Sequence, residues 1–410
     1  MAFRKRTIKD VPLDNKTVLV RVDYNVPLGK DGSIRNDLRI RGSLPTIKAL
    51  LRRGCKVILM SHLGRPDGTK NEKYSLEPIA DHLATLVNVP VSFVDDCIGD
   101  KVKVAVKKMP KKSILVLENL RFYPDEEKNR AVFARKIAQA TGARYFVQDA
   151  FGAAHRAHAS TEAITGYIPG VAGLLVEREV KRITTAMERP KHPFIAVIGG
   201  AKVSDKAAII ERFVEKADKI LIGGAMANTF LSYKGFAMQK SLVEPGQEPV
   251  LDAVYAAARA KLGSEASLDD FIVLPVDLAV AKSPDEAAER REVAADAVPE
   301  GYAAFDIGTR SIERVVREVK DAGTVIWNGT LGFAEVGLFA HGSARLALAL
   351  ALQPETTSII GGGDTADFVL SWSGDDGKAF THISTGGGAS LELMGGAALP
   401  GIECLLDAPR

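Results

Sequence analysis

Short, mostly apolar runs rich in β-branched residues alternate along this chain with longer stretches whose apolar residues recur at helical spacing. That is the pattern of βα units laid into a parallel sheet. In the first half it predicts strands over Thr17 to Val22, Lys56 to Met60, Ser113 to Leu117 and Arg144 to Val147, and helices over Ser43 to Arg52 and Leu76 to Leu86. Each strand runs into a polar loop. A helical stretch from Leu174 to Met187 leads into MERPKHP, whose two prolines and charged residues mark a boundary before a new strand at Phe194 to Ile198. Beyond it, strand, glycine cluster and helix recur at Phe194 to Gly200, Lys219 to Gly224, Thr357 to Gly363 and Thr381 to Gly388. No fixed short repeat accompanies them, which excludes a solenoid. The expected architecture is α/β: two doubly wound parallel-sheet domains, over residues 1–185 and 190–395, joined by an interdomain helix and hinge.

Composition narrows the function classes. The 410 residues allow two or three domains of about 150 residues each. Hydrophobic residues at 46% and charged residues at 26% describe an ordinary globular chain rather than a disordered or fibrous one. Lys and Arg total 54 against 51 Asp and Glu, and a net charge of +3 gives no reason to expect a nucleic acid or a membrane surface as partner. Any anion site must be local. Cys55, Cys97 and Cys404 show no paired spacing, so a disulfide framework or structural zinc is disfavoured and a reducing cytoplasm is the expected compartment. The basic start at Arg4 to Arg6 is followed by no apolar targeting segment, and no apolar run reaches the roughly 18 to 20 residues of a membrane span.

The glycine clusters carry the first chemical signal. In open α/β sheets ligands sit beyond the carboxyl ends of strands, where helix N-termini present unpaired N–H groups to anions. GGAKVSDK, Gly199 to Lys206, adds Lys202 and Lys206, which would share one face of a helix starting there; a tight turn with solvated lysines is the alternative. In GGGDTAD, Gly361 to Asp367, Asp364 is suited to a hard cation held through phosphates and Thr365 to a helix cap, unless either residue is a simple N-cap. STGGGASLE, Ser384 to Glu392, repeats the arrangement with a hydroxyl pair. Neither the phosphate-binding loop Gly-x-x-x-x-Gly-Lys-[Ser/Thr] nor the dinucleotide fingerprint Gly-x-Gly-x-x-Gly is present, which counts against a nicotinamide-dependent oxidoreductase. The first half differs. RVDYNVP at 21 to 27, RNDLRIR at 35 to 41, SHLGRP at 61 to 66, ENLRF at 118 to 122 and DAFGAAHRAHAS at 149 to 160 place Arg39, Arg65, Arg121 and Arg156, with His62 and His158, at or beyond strand ends. Guanidinium forks grip carboxylate and phosphate oxygens in pairs. A metal or general-base role for His62 or His155 finds no supporting spacing. Cys55 and Cys97 read as small buried residues, and Trp327 and Trp372 as packing groups.

Taken together and in this order, RVDYNVP, HLGRP, LENLRF, DAFGAAHRAHAS, GGAKVSDK, GGGDT and STGGGAS resemble the phosphoglycerate kinase family, from about Ile8 to Leu406. The resemblance implies reversible, Mg²⁺-dependent phosphoryl transfer between 1,3-bisphosphoglycerate with ADP and 3-phosphoglycerate with ATP, by direct in-line transfer after domain closure, in a cytoplasmic monomer. It places 3-phosphoglycerate on Asp23, Asn25, Arg39, His62, Arg65, Arg121 and Arg156. The nucleotide falls on Gly200, Ala201, Lys202, Lys206, Gly224, Asn328, Glu335, Gly362, Gly363, Asp364 and Thr365, with Asp364 nearest the metal and Glu335 at the ribose. Arg39, Lys206, Gly363 and the helix start at Gly386 would surround the transferring group. The resemblance also implies a hinge near Leu174 to Pro193 and a last segment, about Pro400 to Arg410, that returns to the N-terminal domain.

The chain departs from that family's pattern in a few places. Thr330 in WNGTLGFAE and Thr309 in DIGTRS stand where proline is usual, Ala225 where a third glycine is common, and Ala207 where a branched residue follows the lysine. Losing proline frees φ and adds an N–H donor. No charged residue assigned to chemistry is missing. A catalytically weak member of the family, retained for binding or regulation, is the second reading, and the two threonines are its only support.

Overall fold

The computed structural model describes residues 3–29, 31–264, 267–374 and 377–409. The chain divides into two compact units, Met1–Lys181 with Ala398–Arg410, and Arg182–Ala397.

The first unit is built on a six-stranded parallel sheet. Its elements in chain order are β1 (Thr17–Arg21), α1 (Leu38–Arg52), β2 (Lys56–Met60), α2 (Glu77–Leu86), β3 (Val91–Val94), α3 (Gly99–Lys108), β4 (Ile114–Leu117), α4 (Ala131–Thr141), β5 (Tyr145–Gln148) and β6 (Gly170–Ala172). The spatial order is β3-β4-β2-β1-β5-β6. Strands such as ILVL in β4 are buried along their whole length because helices cover both faces of a parallel sheet. Val18, Val20, Val57, Leu59, Ile114 and Val116 form the core together with Ile40, Ile47 and Leu50 from α1. The last residues belong here: Arg6 N donates to Leu406 O (2.7 Å), Leu406 N to Gly170 O (2.9 Å) and Gly401 N to Ala154 O (2.9 Å).

Helix α1 starts at Leu38, earlier than the Ser43 start expected from sequence, and carries Pro45 inside it. An interior proline loses one backbone hydrogen bond. The burial of Ile40, Ser43, Thr46, Ile47, Leu50 and Leu51 on one face keeps the helix continuous across it. As a result Arg39 lies in a helical first turn.

Helix α5 (Leu174–Glu188) contains the boundary between the units. The second unit continues with β7 (Phe194–Ile198), α6 (Ala207–Lys216), β8 (Lys219–Ile222), α7 (Gly224–Tyr233), α8 (Glu248–Leu262), α9 (Leu268–Phe271) and β9 (Ile272–Val273). After these come β10 (Asp277–Ala281), β11 (Arg291–Ala294), β12 (Ala303–Ile307), α10 (Thr309–Val319), β13 (Thr324–Asn328), α11 (His341–Ala351), β14 (Thr357–Gly361), α12 (Gly363–Ser373), β15 (His382–Ile383) and α13 (Gly388–Met394); α14 (Pro400–Glu403) returns to the first unit. Its parallel sheet has the order β15-β14-β13-β7-β8-β9. Successive strands spread outward from the β7/β13 pair in opposite directions, so the topological switch point lies between those two strands. Its core gathers Ile195, Val197, Val325, Trp327 and Ile360 around Leu346 and Leu350 of α11.

A separate antiparallel sheet, β11-β10-β12, was not anticipated from the sequence. The reason is visible in β11, REVA, whose residues face mostly solvent and lack the apolar run that marks the other strands. Its neighbour β10 is wholly buried.

Candidate active site

All strands of the first sheet are parallel, so the carboxyl ends of β1, β2, β4 and β5 share one edge. Asp23 and Asn25 follow β1, His62 follows β2, Arg121 follows β4 and Arg156 follows β5. Arg39 reaches the same edge from α1, where its Nη1 donates to Asp23 Oδ2 at 2.9 Å. Asn25 Oδ1 accepts from Gly64 N (2.8 Å), which ties the loop after β1 to the loop after β2.

Arg121 is held by local structure. Asn119 Oδ1 caps a single turn at Leu120–Phe122 by accepting from Arg121 N (3.0 Å), and its Nδ2 donates to Leu63 O (2.7 Å) and Tyr74 O (2.9 Å). The guanidinium, 6% exposed, donates to Gly64 O (2.8 Å) and pairs with Glu127 (3.0 Å), while its Nε has no partner among the described residues. A buried donor left open is a strong pull on an anion. Burial lowers the pKa of Arg121; Glu127 opposes this, and the nearby charges of Arg156 and Arg65 act with it. Arg65 and Arg156 are exposed, within electrostatic reach of Arg121.

His62 is buried, and burial first, then the charges of Arg21, Arg121, Arg39 and His158, hold its pKa well below the usual value for histidine. His158 is pushed down to about 3, again chiefly by burial. Both imidazoles are therefore neutral near pH 7. The edge thus collects the arginines and His62 named from sequence into one electropositive cluster. It also contains two charged residues that the sequence reading passed over, Arg21 and Glu126, both buried. The available signal was a charged residue ending an otherwise apolar strand, TVLVR.

In the second unit the corresponding edge is built mainly from backbone. At the switch point Gly199 N donates to Asn328 O (2.9 Å), Gly200 N to Thr330 O (3.0 Å) and Gly224 N to Leu331 O (2.8 Å). The turns after β7, β8 and β13 are thereby pressed together. A Cβ on Gly199 would overlap the Thr330 carbonyl, and one on Gly329, whose φ is +92°, would overlap the Gly199 carbonyl. Lys206 bends back into this knot, and its Nζ donates to Gly199 O (2.6 Å) and Asn328 O (3.2 Å). Burial brings its pKa down to about 8, with Asp364 opposing the shift. The ammonium is charged at neutral pH and stands among carbonyls rather than in an ion pair at bonding distance.

Two expectations about this edge change. Lys202 and Lys206 do not share a helix face: a turn at Ser204–Lys206 precedes α6, and Lys202 lies exposed before it. Glu244 shapes that turn by accepting from Val203 N (2.7 Å), Ser204 N (3.1 Å) and the Ser204 hydroxyl, a long-range tie that no local pattern shows. Thr365 does not cap α12. It lies inside the helix, and its hydroxyl accepts from Gly329 N (2.7 Å), fastening the turn after β14 to the turn after β13. Asn328 is buried and its Nδ2 has no partner among the described residues; it abuts the Gly361–Gly362 turn. Gly362 caps α12, and Gly363 faces open space at its first turn.

Asp364, exposed in that turn, accepts no hydrogen bond from the described residues. A carboxylate free of hydrogen bonds in the first turn of a helix would suit a hard cation such as Mg²⁺ that brings most of its other oxygen ligands with it. Among the described residues no group of three or more His, Cys, Asp or Glu could hold a metal alone. Ala201 and Glu335 are exposed; Gly386 N donates to Ser384 Oγ at 3.1 Å and Gly386 O accepts from Ala389 N at 3.0 Å. No hydrogen bond or ion pair among the described residues joins Glu335 or Gly386 to Lys206.

An α/β chain that gathers guanidinium groups at the carboxyl edge of one sheet, and glycine turns with a lysine at the switch point of another, has the parts a phosphotransferase needs. The family model for phosphoglycerate kinase matches residues 8–397. A phosphoglycerate kinase from Moorella thermoacetica is 47% identical over 403 residues, covering 98% of this chain and 99% of that protein. Solved structures of phosphoglycerate kinases from Coxiella burnetii (34% identity, TM-score 0.81) and Pyrococcus horikoshii (33% identity, TM-score 0.82) each match 98% of this chain and 98% of theirs. The chain belongs to the phosphoglycerate kinase family, whose known activity is glycolytic phosphotransfer with a carboxyl group as acceptor.

Proposed function

We propose that this chain transfers a phosphoryl group reversibly between 1,3-bisphosphoglycerate with ADP and 3-phosphoglycerate with Mg²⁺–ATP. The observation that carries this reading is the Lys206 ammonium held at the β7/β13 switch point beside Asp364. Family membership supplies the identity of the acid.

In this reading Asp23, Asn25, Arg39, His62, Arg65, Arg121 and Arg156 bind 3-phosphoglycerate. The open Nε of Arg121 and the exposed guanidinium groups of Arg65 and Arg156 supply donors for its phosphate and carboxylate oxygens. The nucleotide occupies the glycine edge: Gly200, Ala201, Lys202, Lys206, Gly224, Gly362, Gly363 and Thr365 face its phosphates, Asn328 offers its unpartnered amide, and Glu335 takes the ribose. Asp364 would hold the nucleotide-borne Mg²⁺, which would supply neutralisation of phosphate charge. The transferring group spreads negative charge over its equatorial oxygens, so catalysis rests on positioning and on fixed positive charge. Arg39, Lys206 and the amides at Gly363 and Gly386 supply that charge. The acceptor is an ionised carboxylate or a nucleotide phosphate oxygen, so no general base is needed. With the acid on one unit and the nucleotide on the other, transfer requires the units to approach when both substrates are bound.

Unpaired thiols at Cys55, Cys97 and Cys404 support a reducing cytoplasm as the compartment, and no helix among the described residues is long and apolar enough to cross a membrane. We read the working form as a monomer, which light scattering on the purified chain checks. The function itself is tested by ATP consumption with 3-phosphoglycerate and Mg²⁺, coupled to removal of the bisphosphoglycerate. Robust turnover supports the assignment. Binding of both substrates without turnover would favour the regulatory reading that Thr309 and Thr330 raise.

A further inference from the structure

Behind the acid-binding edge lies a chain of buried polar groups with a fixed direction of donation. The Arg21 guanidinium, 1% exposed, donates from Nε to Ser160 Oγ (2.8 Å) and from Nη1 to Val22 O (2.6 Å), and its Nη2 lies 3.0 Å from His62 Nδ1. Ser160 Oγ in turn donates to Glu126 Oε1 (2.5 Å), while Ser160 N donates to Glu126 Oε2 (3.0 Å). Ser160 and Glu126 are both fully buried.

A guanidinium has no acceptor and does not deprotonate in proteins. Facing it, His62 Nδ1 can only accept. The proton of the neutral ring must then sit on Nε2, for which the described residues provide no partner. We infer that Glu126, Ser160 and Arg21 are positioning residues that hold His62 in the neutral tautomer protonated on Nε2, ready to donate to an oxygen of the three-carbon acid. Glu126 supplies the counter-charge that lets a guanidinium stay in a dry site, and Ser160 passes the bond between them. The charges of Arg121 and Arg39 also disfavour a second proton on the imidazole. The inference rests on the reading that His62 binds the acid.

The test uses the full chain labelled with ¹⁵N-histidine, with His62 assigned by comparison with His62→Gln. Long-range ¹H–¹⁵N spectra near neutral pH should show one neutral tautomer with the proton on Nε2. Arg21→Met alone would leave Glu126 buried without a partner and destabilise the fold, so the variant is Arg21→Met with Glu126→Gln, which removes both charges together. It should populate both tautomers and raise the KM for 3-phosphoglycerate about ten- to a hundredfold, the scale of one lost hydrogen bond to a charged group, with the KM for ATP unchanged. A proton on Nδ1 in the unaltered chain would overturn the inference. So would a folded double variant that keeps the original tautomer and KM, or one that raises both KM values equally. Should the chain turn over no 3-phosphoglycerate, the functional reading fails while the tautomer spectra still decide this inference.

Discussion

The two units bind anions with different materials. In the first, the strand ends carry charged side chains, and Asp23, Asn119, Glu126 and Glu127 hold the arginines in place. In the second, strand ends carry glycines whose backbones interlock, and a single lysine contributes the charge at the centre. Side-chain sites lose their function one contact at a time. A backbone site depends on the close approach of whole loops, so one added methyl group disturbs all of it.

The comparison is broken most severely at Gly329. Gly329→Ala places a Cβ against the Gly199 carbonyl at a φ that side chains avoid. It should lower stability by about 1–3 kcal/mol and abolish nucleotide binding while 3-phosphoglycerate still binds the first unit. Calorimetric titration with each substrate reads this, and retained nucleotide affinity would contradict the interlocked-loop account.

Next in size, Lys206→Ala and Arg39→Ala should each lower kcat by about 10²–10³ with the fold intact by circular dichroism. Near-normal kcat in both variants would remove the proposed transition-state roles. A smaller and selective effect is expected from Arg65→Ala, which should raise the KM for 3-phosphoglycerate about tenfold and leave that for ATP unchanged, whereas Lys202→Ala should do the reverse. Equal changes in both constants would show that the sites are not separable.

Lys206 also provides a pH signature that the arginine site lacks. Its pKa is brought down from 10.5 to about 8 by burial, so kcat/KM for the nucleotide should decline as pH rises through about 8. The stability effect has the opposite sense. Because the folded chain releases this proton before the unfolded chain does, the buried ammonium costs stability below about pH 8, and that cost is relieved as pH climbs towards 10.5. Thermal melts of the unaltered chain and Lys206→Met across this range should converge at the alkaline end; parallel curves would refute the shifted lysine.

The smallest effect belongs to Thr309→Pro. Thr309 N and Oγ1 donate to Glu292 at 3.0 and 2.9 Å, bonds that proline cannot make. Both are exposed, and proline is well suited to the first position of a helix. The variant should change stability by less than about 1 kcal/mol and leave kcat unaltered. A large loss would mean that the threonine–glutamate tie supports the second unit.

Much of this molecule was legible in advance where the signal was local. The strands Lys56–Met60 and Phe194–Ile198 fall where the apolar runs lie, because a strand covered on both faces must be apolar throughout. The clustering of His62 and Arg121 followed from their places beyond strand ends in a sheet whose strands all run one way, whereas Arg39 reaches that edge from the first turn of α1 rather than from a strand end. What stayed hidden depended on residues far apart in sequence. Glu244 decides the turn before α6, Thr365 fastens two loops instead of capping its helix, and exposed β11 is a strand only because β10 pairs with it.

The sequence by itself determined the alternation of strand and helix, the positions of the glycine turns and the residue types available at each strand end, since these follow from local periodicity and side-chain chemistry. Only the tertiary structure decided the strand order that creates a switch point beside Lys206, the buried relay from Glu126 to His62, and the depressed pKa of the lysine. Strand order and burial come from packing between distant segments, and a buried charge takes its properties from the neighbours that packing brings to it.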